Sequence, residues 1–515
     1  MKVGRSSPAR HKIVSVGLPA LSGALMALSL PPLPLGWLAW VGLLPLFQAL
    51  RAQSYRGGFG LGYRAGLVYY LGSLYWILLN TGATPILRVL SLIGVLIVLP
   101  LIWGIGAWLT ALVRSRWGPG SWLLAPLIWT AAEMIFSIGE SGFPWAVFAL
   151  SQSSFLDLIQ FVELTGVHGV TFWVVATNAL GMIAWQERKT KPQSAGVLLL
   201  IVLWILLPAS WGRHRRANLP PAVSVMTVGL VQGDIPAEEK WELGVEHSLI
   251  PYEQLTTSIA SDTLKLVVWP ETAVPTYLEK RWYDRRLVQD FVDSLGIPLL
   301  TGANDYEITA DEKALRFNGA FLVRPDVAEL QVYHKIHPVP FGERIPFQRL
   351  FPFLGSFSLG QAEFTPGYDY TVFSLDQGSG TFSVLICFES IFSEVTRNFV
   401  RRGAEFLVNI TNDGWFGRCS EPYQHLELTR FRSIETRRWL VRAANTGISA
   451  IIAADGTIVD RLPLLERGTL VHYIELRRDQ TFFVRNGNWF PAFCGACSFL
   501  LILGLVFHKK KDLRR

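Results

Sequence analysis

Ser383-Val384-Leu385-Ile386-Cys387-Phe388-Glu389-Ser390 is an apolar run that stops on a cysteine and a glutamate. Near-continuous apolar character up to Ile386, with helix-forming residues from about Ile391, predicts a buried strand giving way to a helix. A thiol at that turn stands at the carboxyl end of a strand, near a helix N-terminus whose partial positive charge favours thiolate. Two stretches upstream are built alike. Leu264-Lys265-Leu266-Val267-Val268-Trp269-Pro270 reads as a buried strand with Glu271 at its end. A strand near 329–334 leads into Lys335, with Glu343 behind it.

The same alternation fills residues 220–480. Residues 224–232 form a β-rich run closed by a Gly233-Asp234-Ile235-Pro236 turn. Further strands are expected near 297–302, 316–324, 381–387, 404–410 and 447–453, with helices at about 245–262, 281–295, 390–402 and 421–440. Apolar strands alternating with helices predict an α/β domain whose sheets are covered by helices. In such folds chemistry collects at the carboxyl ends of strands, where Glu271, Lys335 and Cys387 fall.

On either side the composition changes. Half of the 515 residues are hydrophobic and 17% are charged, far from an ordinary soluble balance. Stretches near the roughly 20 apolar residues that a bilayer core requires lie at about 13–30, 34–50, 59–79, 89–113, 121–136, 164–186, 195–211 and 489–508. Residues 1–219 therefore predict a multi-pass α-helical membrane bundle of about seven spans, and 481–515 an eighth span with a basic tail. Lys2, Arg5, Arg10 and Lys12, then Arg51 and Arg56, Arg114 and Arg116, Arg188, Lys189 and Lys191, and finally Lys509, Lys510, Lys511, Arg514 and Arg515 all fall on one side. The positive-inside rule makes that side cytoplasmic, with both termini there and 220–480 outside. Arg213, Arg215 and Arg216 run against the pattern. They read either as partners of phosphate headgroups or as a solvated junction. With seven further spans behind it, the first is read as retained rather than as a cleaved signal peptide.

Four cysteines are too few for a disulfide framework. Cys494 and Cys497 have redox-like spacing but lie inside the last apolar stretch and read as packing residues; the state of Cys419 stays open. His334, His337 and His425 show no spacing that pairs them with a metal or with Cys387, and read as structural or surface residues. No metal or cofactor is expected, and no nucleic-acid signature is present. The net charge of +7 gathers in the connections assigned to the cytoplasm and in the tail.

Glutamate, lysine and cysteine are the parts of acyl transfer through a thioester. A free thiol has a pKa of about 8.5, so a carboxylate within reach must take its proton as the sulfur attacks, a role for Glu271. An ammonium at Lys335 would stabilise thiolate and the oxyanion that develops on the attacked carbonyl. Glu343 and Glu389 read as supporting carboxylates that orient the lysine and balance its charge. Taken singly, each residue has a plainer reading as a turn glutamate, a surface lysine or a small buried cysteine. Jointly the readings change.

The order Trp269-Pro270-Glu271, then His334-Lys335 with Pro340-Phe341-Gly342-Glu343, then Ile386-Cys387-Phe388-Glu389, then Asn412-Asp413-Gly414-Trp415-Phe416 resembles the nitrilase or carbon–nitrogen hydrolase superfamily. Seven preceding spans and one following narrow the resemblance to the apolipoprotein N-acyltransferase family of the bacterial inner membrane. Gly142-Phe143-Pro144-Trp145 and Val231-Gln232-Gly233-Asp234-Ile235-Pro236 look like stretches of that family. Where it often carries Tyr after the cysteine, this chain has Phe388, without a hydroxyl. The resemblance implies a four-layer α-β-β-α sandwich on a helical bundle and a ping-pong reaction. Cys387 would take an acyl chain from a membrane phospholipid, releasing a lysophospholipid. The thioester would then pass it to the free α-amine of the diacylglyceryl-cysteine that begins an apolipoprotein. Glu271 would move the protons of both steps. Trp145, Trp415, Phe341 and Phe388 are candidates for substrate contact.

Phe341, Phe347, Phe351, Phe353, Phe357 and Phe364 suit a loop that dips into the membrane interface or gates a lipid cleft; they equally suit packing on the domain's own core. Trp415 suits core or pocket wall. One rival function is a membrane-anchored amidase, in which water replaces the amine; a single span would anchor it. Another is a transporter or lipoprotein-binding protein, against which stand the scarce ionisable residues of the spans, chiefly Arg64 and Glu133.

Overall fold

The run Leu264–Val268 (β2) lies inside a sheet, as its mostly buried residues require. The computed structural model describes residues 13–187, 191–236, 240, 244–348, 350–351, 353, 363–375 and 380–512. Phe357, the basic residues of 1–12, Arg188, Lys189, Arg514 and Arg515 lie outside them. The first sheet orders Gly468–Leu476 (β13), Ser224–Gln232 (β1), β2, Leu299–Ile308 (β4), Ala314–Arg324 (β5) and Val327–His334 (β6), with Val274–Tyr277 (β3) paired to β4. β1, β2 and β4 run parallel, and β5, β6 and β13 pair antiparallel. The second orders Ile458–Leu462 (β12), Ser449–Ile452 (β11), Leu440–Ala444 (β10), Phe406–Thr411 (β9), Thr381–Ile386 (β8) and Phe373–Ser374 (β7), with β8, β9 and β10 parallel.

The two sheets face each other, β1 against β10 and β5 against β8. Helices Gly244–Ile259 and Trp282–Leu295 cover the first, where Leu249, Tyr252, Val288 and Val292 are buried with Val231, Trp269 and Phe321. Helix Ser393–Arg401 packs on β8 and on helix Glu421–Thr436, which bonds to β10 through Arg442 and Thr429. The layers are thus α-β-β-α, a nitrilase-like arrangement. The stretch Val231–Pro236 seams the sheets. Gln232 Oε1 accepts from the Ser449 amide (3.1 Å) and hydroxyl (2.6 Å), and Asn445 Nδ2 donates to the Ile235 carbonyl at 2.7 Å. Gly233 has to be glycine, because a Cβ there would sit 2.6 Å from the Tyr252 ring.

The chain divides into a helical unit (Met1–Leu78, Val89–Asn218, Asn488–Arg515) and an α/β unit (Leu79–Arg88, Leu219–Gly487). Segment Leu79–Arg88, expected in the bundle, belongs to the α/β unit, where the Thr81 amide donates to the Trp415 carbonyl at 2.8 Å.

Pro85–Trp117, all but its first four residues in the helical unit, is long and apolar enough to cross a membrane (33 residues, with an 18-residue stretch of mean hydropathy 2.5), and Ile13–Leu28 and Trp489–Leu505 are shorter apolar helices. Two other expected spans are broken. The 34–50 stretch is a 3-10 turn, Gly36–Trp40, then helix Leu44–Ala52. The 121–136 stretch splits into Pro119–Leu124 and Ala125–Ile135. A proline at the start of each second helix explains the restart, since its fixed φ suits a first turn and not an interior. Gly58, Gly62 and Gly66 line one face of helix Gly58–Leu74 where helix Pro100–Trp117 passes; a Cβ on Gly62 would lie 2.2 Å from the Trp103 carbonyl. Small residues at four-residue spacing permit that approach. The ionisable groups here have structural partners. Glu133 accepts from the Phe148 amide (3.0 Å) and the Thr171 hydroxyl (2.5 Å), and Arg64 donates to the Ser15 carbonyl (2.9 Å). Arg215 pairs with Glu163 at 2.7 Å and Arg216 with Asp157 at 2.5 Å, so these two arginines are matched by acids of their own unit.

Candidate active site

Glu271, Lys335 and Cys387 each follow a strand. Glu271 comes three residues after β2, beyond Trp269, whose ring stacks on Tyr252 at 5.3 Å and whose Nε1 donates to Thr256 at 2.9 Å. The core thus fixes the base of the turn. Gly302 on β4 lets the chain pass under Glu271, since a Cβ there would stand 2.7 Å from the Glu271 Cα. Glu271 Oε1 accepts from Asn318 Nδ2 at 2.7 Å and lies 3.9 Å from Lys335 Nζ.

Lys335 directly follows β6, its amide donating to the Asn318 carbonyl at 2.9 Å. Its buried ammonium is held by Glu343, at 2.9 Å from Oε1 and 2.8 Å from Oε2. A tight turn brings Glu343 back. The Glu343 amide donates to the Val339 carbonyl (2.9 Å), the Val339 amide donates to Glu343 Oε2 (2.7 Å), and Phe341 takes a left-handed φ of +61°. That geometry is what Pro340-Phe341-Gly342-Glu343 encodes.

Cys387 is half-buried at the end of β8, with a left-handed φ of +51°. This conformation costs a non-glycine residue about 1–2 kcal/mol and aims the side chain out of the strand line. Glu389, fully buried, joins the cysteine turn to the lysine loop. Its Oε2 accepts from the Ile386 amide (2.8 Å); its Oε1 accepts from the amides of Ile336 (2.6 Å) and His337 (3.1 Å) and from the Tyr333 hydroxyl (2.7 Å). Glu389 therefore acts on Lys335 through the main chain, where a direct orienting contact was expected.

Electrostatics correct one expectation. Burial pushes the Cys387 thiol well above its ordinary pKa, Glu271 pushes it further, and Lys335 only partly offsets them. The resting group is a thiol. Residues Cys387–Ile391 form a 3-10 turn, and the α-helix expected from about Ile391 starts at Ser393. Burial also raises Glu271 above its usual range, against the pull of Lys335. For Lys335, burial opposes the charge, but Glu343 and Glu271 outweigh it and keep the ammonium. The arrangement is a protonated thiol, a carboxylate of raised basicity and a fixed cation, which can move a proton and stabilise an oxyanion together.

The expected substrate contacts diverge. Phe341 is 58% exposed, and Phe347, Phe351 and Phe353 are exposed beside it, so these rings do not pack in the core. Trp415 is half-buried on the turn Asp413–Phe416. Phe388 is buried edge-on to Phe392 at 5.1 Å. Trp145 is buried in the helical unit beside Trp76 and Phe143.

Two groups escaped the sequence reading. Lys240 is buried with Nζ 3.5 Å from the Thr272 carbonyl, and burial brings its ammonium down to about 7 against the pull of Glu271. The second is a buried cluster of Asp413, Glu421 and His425, whose ligand-type atoms lie within 4.8 Å of one another. Arg442 supplies the cation among them, 2.7 Å from Asp413 Oδ2 and 3.2 Å from His425 Nδ1.

Comparison with known proteins agrees with this division. Residues 22–180 match the family model described as apolipoprotein N-acyltransferase N-terminal domain, and residues 227–481 match carbon-nitrogen hydrolase. An apolipoprotein N-acyltransferase of Geobacter metallireducens is 35% identical, over 98% of this chain and 96% of its own length. One of Chlorobaculum tepidum is 33% identical, over 96% and 97%. Among solved structures, an amidase from Nesterenkonia sp. is 20% identical over 52% of this chain and 96% of its own, with a TM-score of 0.38.

Proposed function

The chain belongs to the apolipoprotein N-acyltransferase family, and from that membership we propose how its residues carry out the reaction. It is an acyltransferase that N-acylates lipoproteins. Cys387 Sγ attacks the ester carbonyl of a phospholipid while Glu271 takes the thiol proton. The Lys335 ammonium stabilises the oxyanion. Glu271 returns the proton to the departing lysophospholipid alkoxide, leaving a Cys387 thioester. The α-amine of a diacylglyceryl-cysteine then attacks, Glu271 takes its proton, and the amide forms as the thiolate leaves and is reprotonated. Glu343 keeps Lys335 charged, and Glu389 holds the lysine loop to the cysteine turn. One observation carries the reading: beside the left-handed turn of Cys387, a buried Glu271 lies 3.9 Å from a Lys335 ammonium that both oxygens of Glu343 hold.

In this reading residues 1–219 and 481–515 lie in a bacterial inner membrane with both termini cytoplasmic, and 220–480 is periplasmic. Support comes from apolar side chains that face outward. Ile86, Leu90 and Ile97 on one helix, and Leu199, Leu206 and Leu207 on another, are each more than half exposed, as lipid-facing residues are and water-facing ones are not. The exposed Phe341, Phe347, Phe351 and Phe353 form the surface that would meet the lipid interface, and Phe341 and Trp415 remain the side chains offered to substrate.

Mass spectrometry tests the first step. Incubation with phospholipid is expected to add one fatty acyl mass to Cys387, and none in Cys387→Ser or Glu271→Ala. An unmodified Cys387 together with ammonia release from a small amide would favour the hydrolytic alternative instead.

A further inference from the structure

Under Cys387 the second sheet carries polar groups in a place where strands otherwise hold apolar ones. Asp413, His425 and Arg442 are each at most 1% exposed, and burying such groups is costly unless every one is bonded. Asp413 follows β9, the neighbour of β8. Its Oδ2 accepts from Arg442 Nη2 at 2.7 Å, and its Oδ1 accepts from the Thr411 hydroxyl at 2.8 Å and lies 3.0 Å from His425 Nδ1. The other ring nitrogen, His425 Nε2, is 3.1 Å from the Cys387 carbonyl oxygen and 2.9 Å from Ser390 Oγ. The Cys387 carbonyl and the Asp413 carboxylate can each only accept, so a hydrogen on Nε2 serves the carbonyl and one on Nδ1 serves Asp413. Arg442 Nη2, which holds Asp413, also lies 3.2 Å from Nδ1. The thiol has its own tie to the cluster, through the Thr411 hydroxyl.

We infer that His425 is a positioning residue for the nucleophile: it grips Cys387 by its carbonyl and holds the left-handed turn that aims the sulfur. Asp413, clamped by Arg442, is the anchor for the imidazole and, through Thr411, for the floor beneath the thiol. The inference rests on the reading that Cys387 is the acylated residue. His425 touches no reacting atom in this scheme. Its loss lets the turn relax, and a displacement of about 1 Å at a reacting atom is worth about 100-fold in rate. Substrate binding, which depends on other surfaces, is left intact.

The test uses the detergent-purified full chain and a phospholipid donor, following acyl-Cys387 by quenched-flow mass spectrometry. In His425→Ala the acylation rate at saturating donor is expected to fall by about 10- to 100-fold, with the half-saturating donor concentration within about twofold of wild type. His425→Gln keeps an N–H for the carbonyl and is expected to regain most of the rate. If His425→Ala loses its fold by circular dichroism, Asp413→Asn carries the same test, with a fall of the same kind. A wild-type acylation rate in the folded variant overturns this inference alone, as does a change confined to half-saturation or a His425→Gln no faster than Ala. Absence of any acyl group on wild-type Cys387 overturns the underlying reading, and this inference with it.

Discussion

Glu343 holds the Lys335 ammonium with both carboxylate oxygens, at 2.9 and 2.8 Å. The lysine side chain is 1% exposed and the glutamate 16%, so solvent screens the pair weakly. A buried ammonium survives only where carboxylates offset its lost hydration.

Glu343→Gln is therefore expected to cost stability toward the low end of about 3–5 kcal/mol, because Glu271 still faces the cation at 3.9 Å. It should also slow acylation of Cys387. Thermal unfolding and the acylation rate, measured on one preparation, check the two together; unchanged values for both would detach Glu343 from the lysine.

Glu271 sets the acid side of the pH profile. Burial raises its pKa above the ordinary 4.5, and it must be ionised to accept the thiol proton. Acylation is expected to rise with pH through a limb displaced above that value. A limb at or below 4.5 would mean another base. Glu271→Gln should remove about 100-fold or more of the rate.

Glu389 links two loops through four donors. A glutamine offers one acceptor oxygen and sets an NH2 against at least one of those donors, which costs about 1–3 kcal/mol. The pH dependence has a defined sign. Burial pushes the Glu389 carboxyl up to about 7 from 4.5, so the folded chain binds this proton more tightly than the unfolded one. Its contribution to stability is present below 4.5 and is lost as pH rises through about 7. Denaturant titrations at several pH values should show that decline in wild type and a flatter dependence in Glu389→Gln.

Gly302→Ala tests the close approach beneath Glu271. The added methyl would meet the Thr272 amide nitrogen at 2.5 Å and the Glu271 Cα at 2.7 Å, both of them backbone, so the turn must shift. Acylation is expected to fall by about 100-fold, with a stability loss of about 1–3 kcal/mol. Normal acylation would show that the turn tolerates displacement.

Much of this was legible in the sequence because it depends on local order. β1, β2, β4, β5, β8 and β9 come from apolar runs, and Glu271, Lys335 and Cys387 follow directly on three strands. β10 was not legible: Leu440–Ala444 carries Arg442 at its centre, which reads as surface until Asp413 and Asn409 are brought beside it. The need for Glu271 to take a proton from Cys387 was legible, but how far burial holds the thiol protonated was not, since burial is a tertiary property. His425 reads as an isolated histidine because its partners lie 12, 17 and 38 residues away. The helices of the helical unit were legible as apolar stretches; the breaks at Pro45 and Pro126 follow from prolines that the stretch lengths alone do not weigh.

Transfer from an isolated acyl-enzyme addresses the central claim most directly. Enzyme loaded from phospholipid and freed of donor would be mixed with a diacylglyceryl-cysteinyl peptide, and the fate of the acyl group followed by mass spectrometry. The account predicts stoichiometric loss of the acyl mass from Cys387 and its appearance as an amide on the peptide's α-amine, faster than release of free fatty acid. Release to water at the same rate with or without peptide, and no acylated peptide, would contradict it.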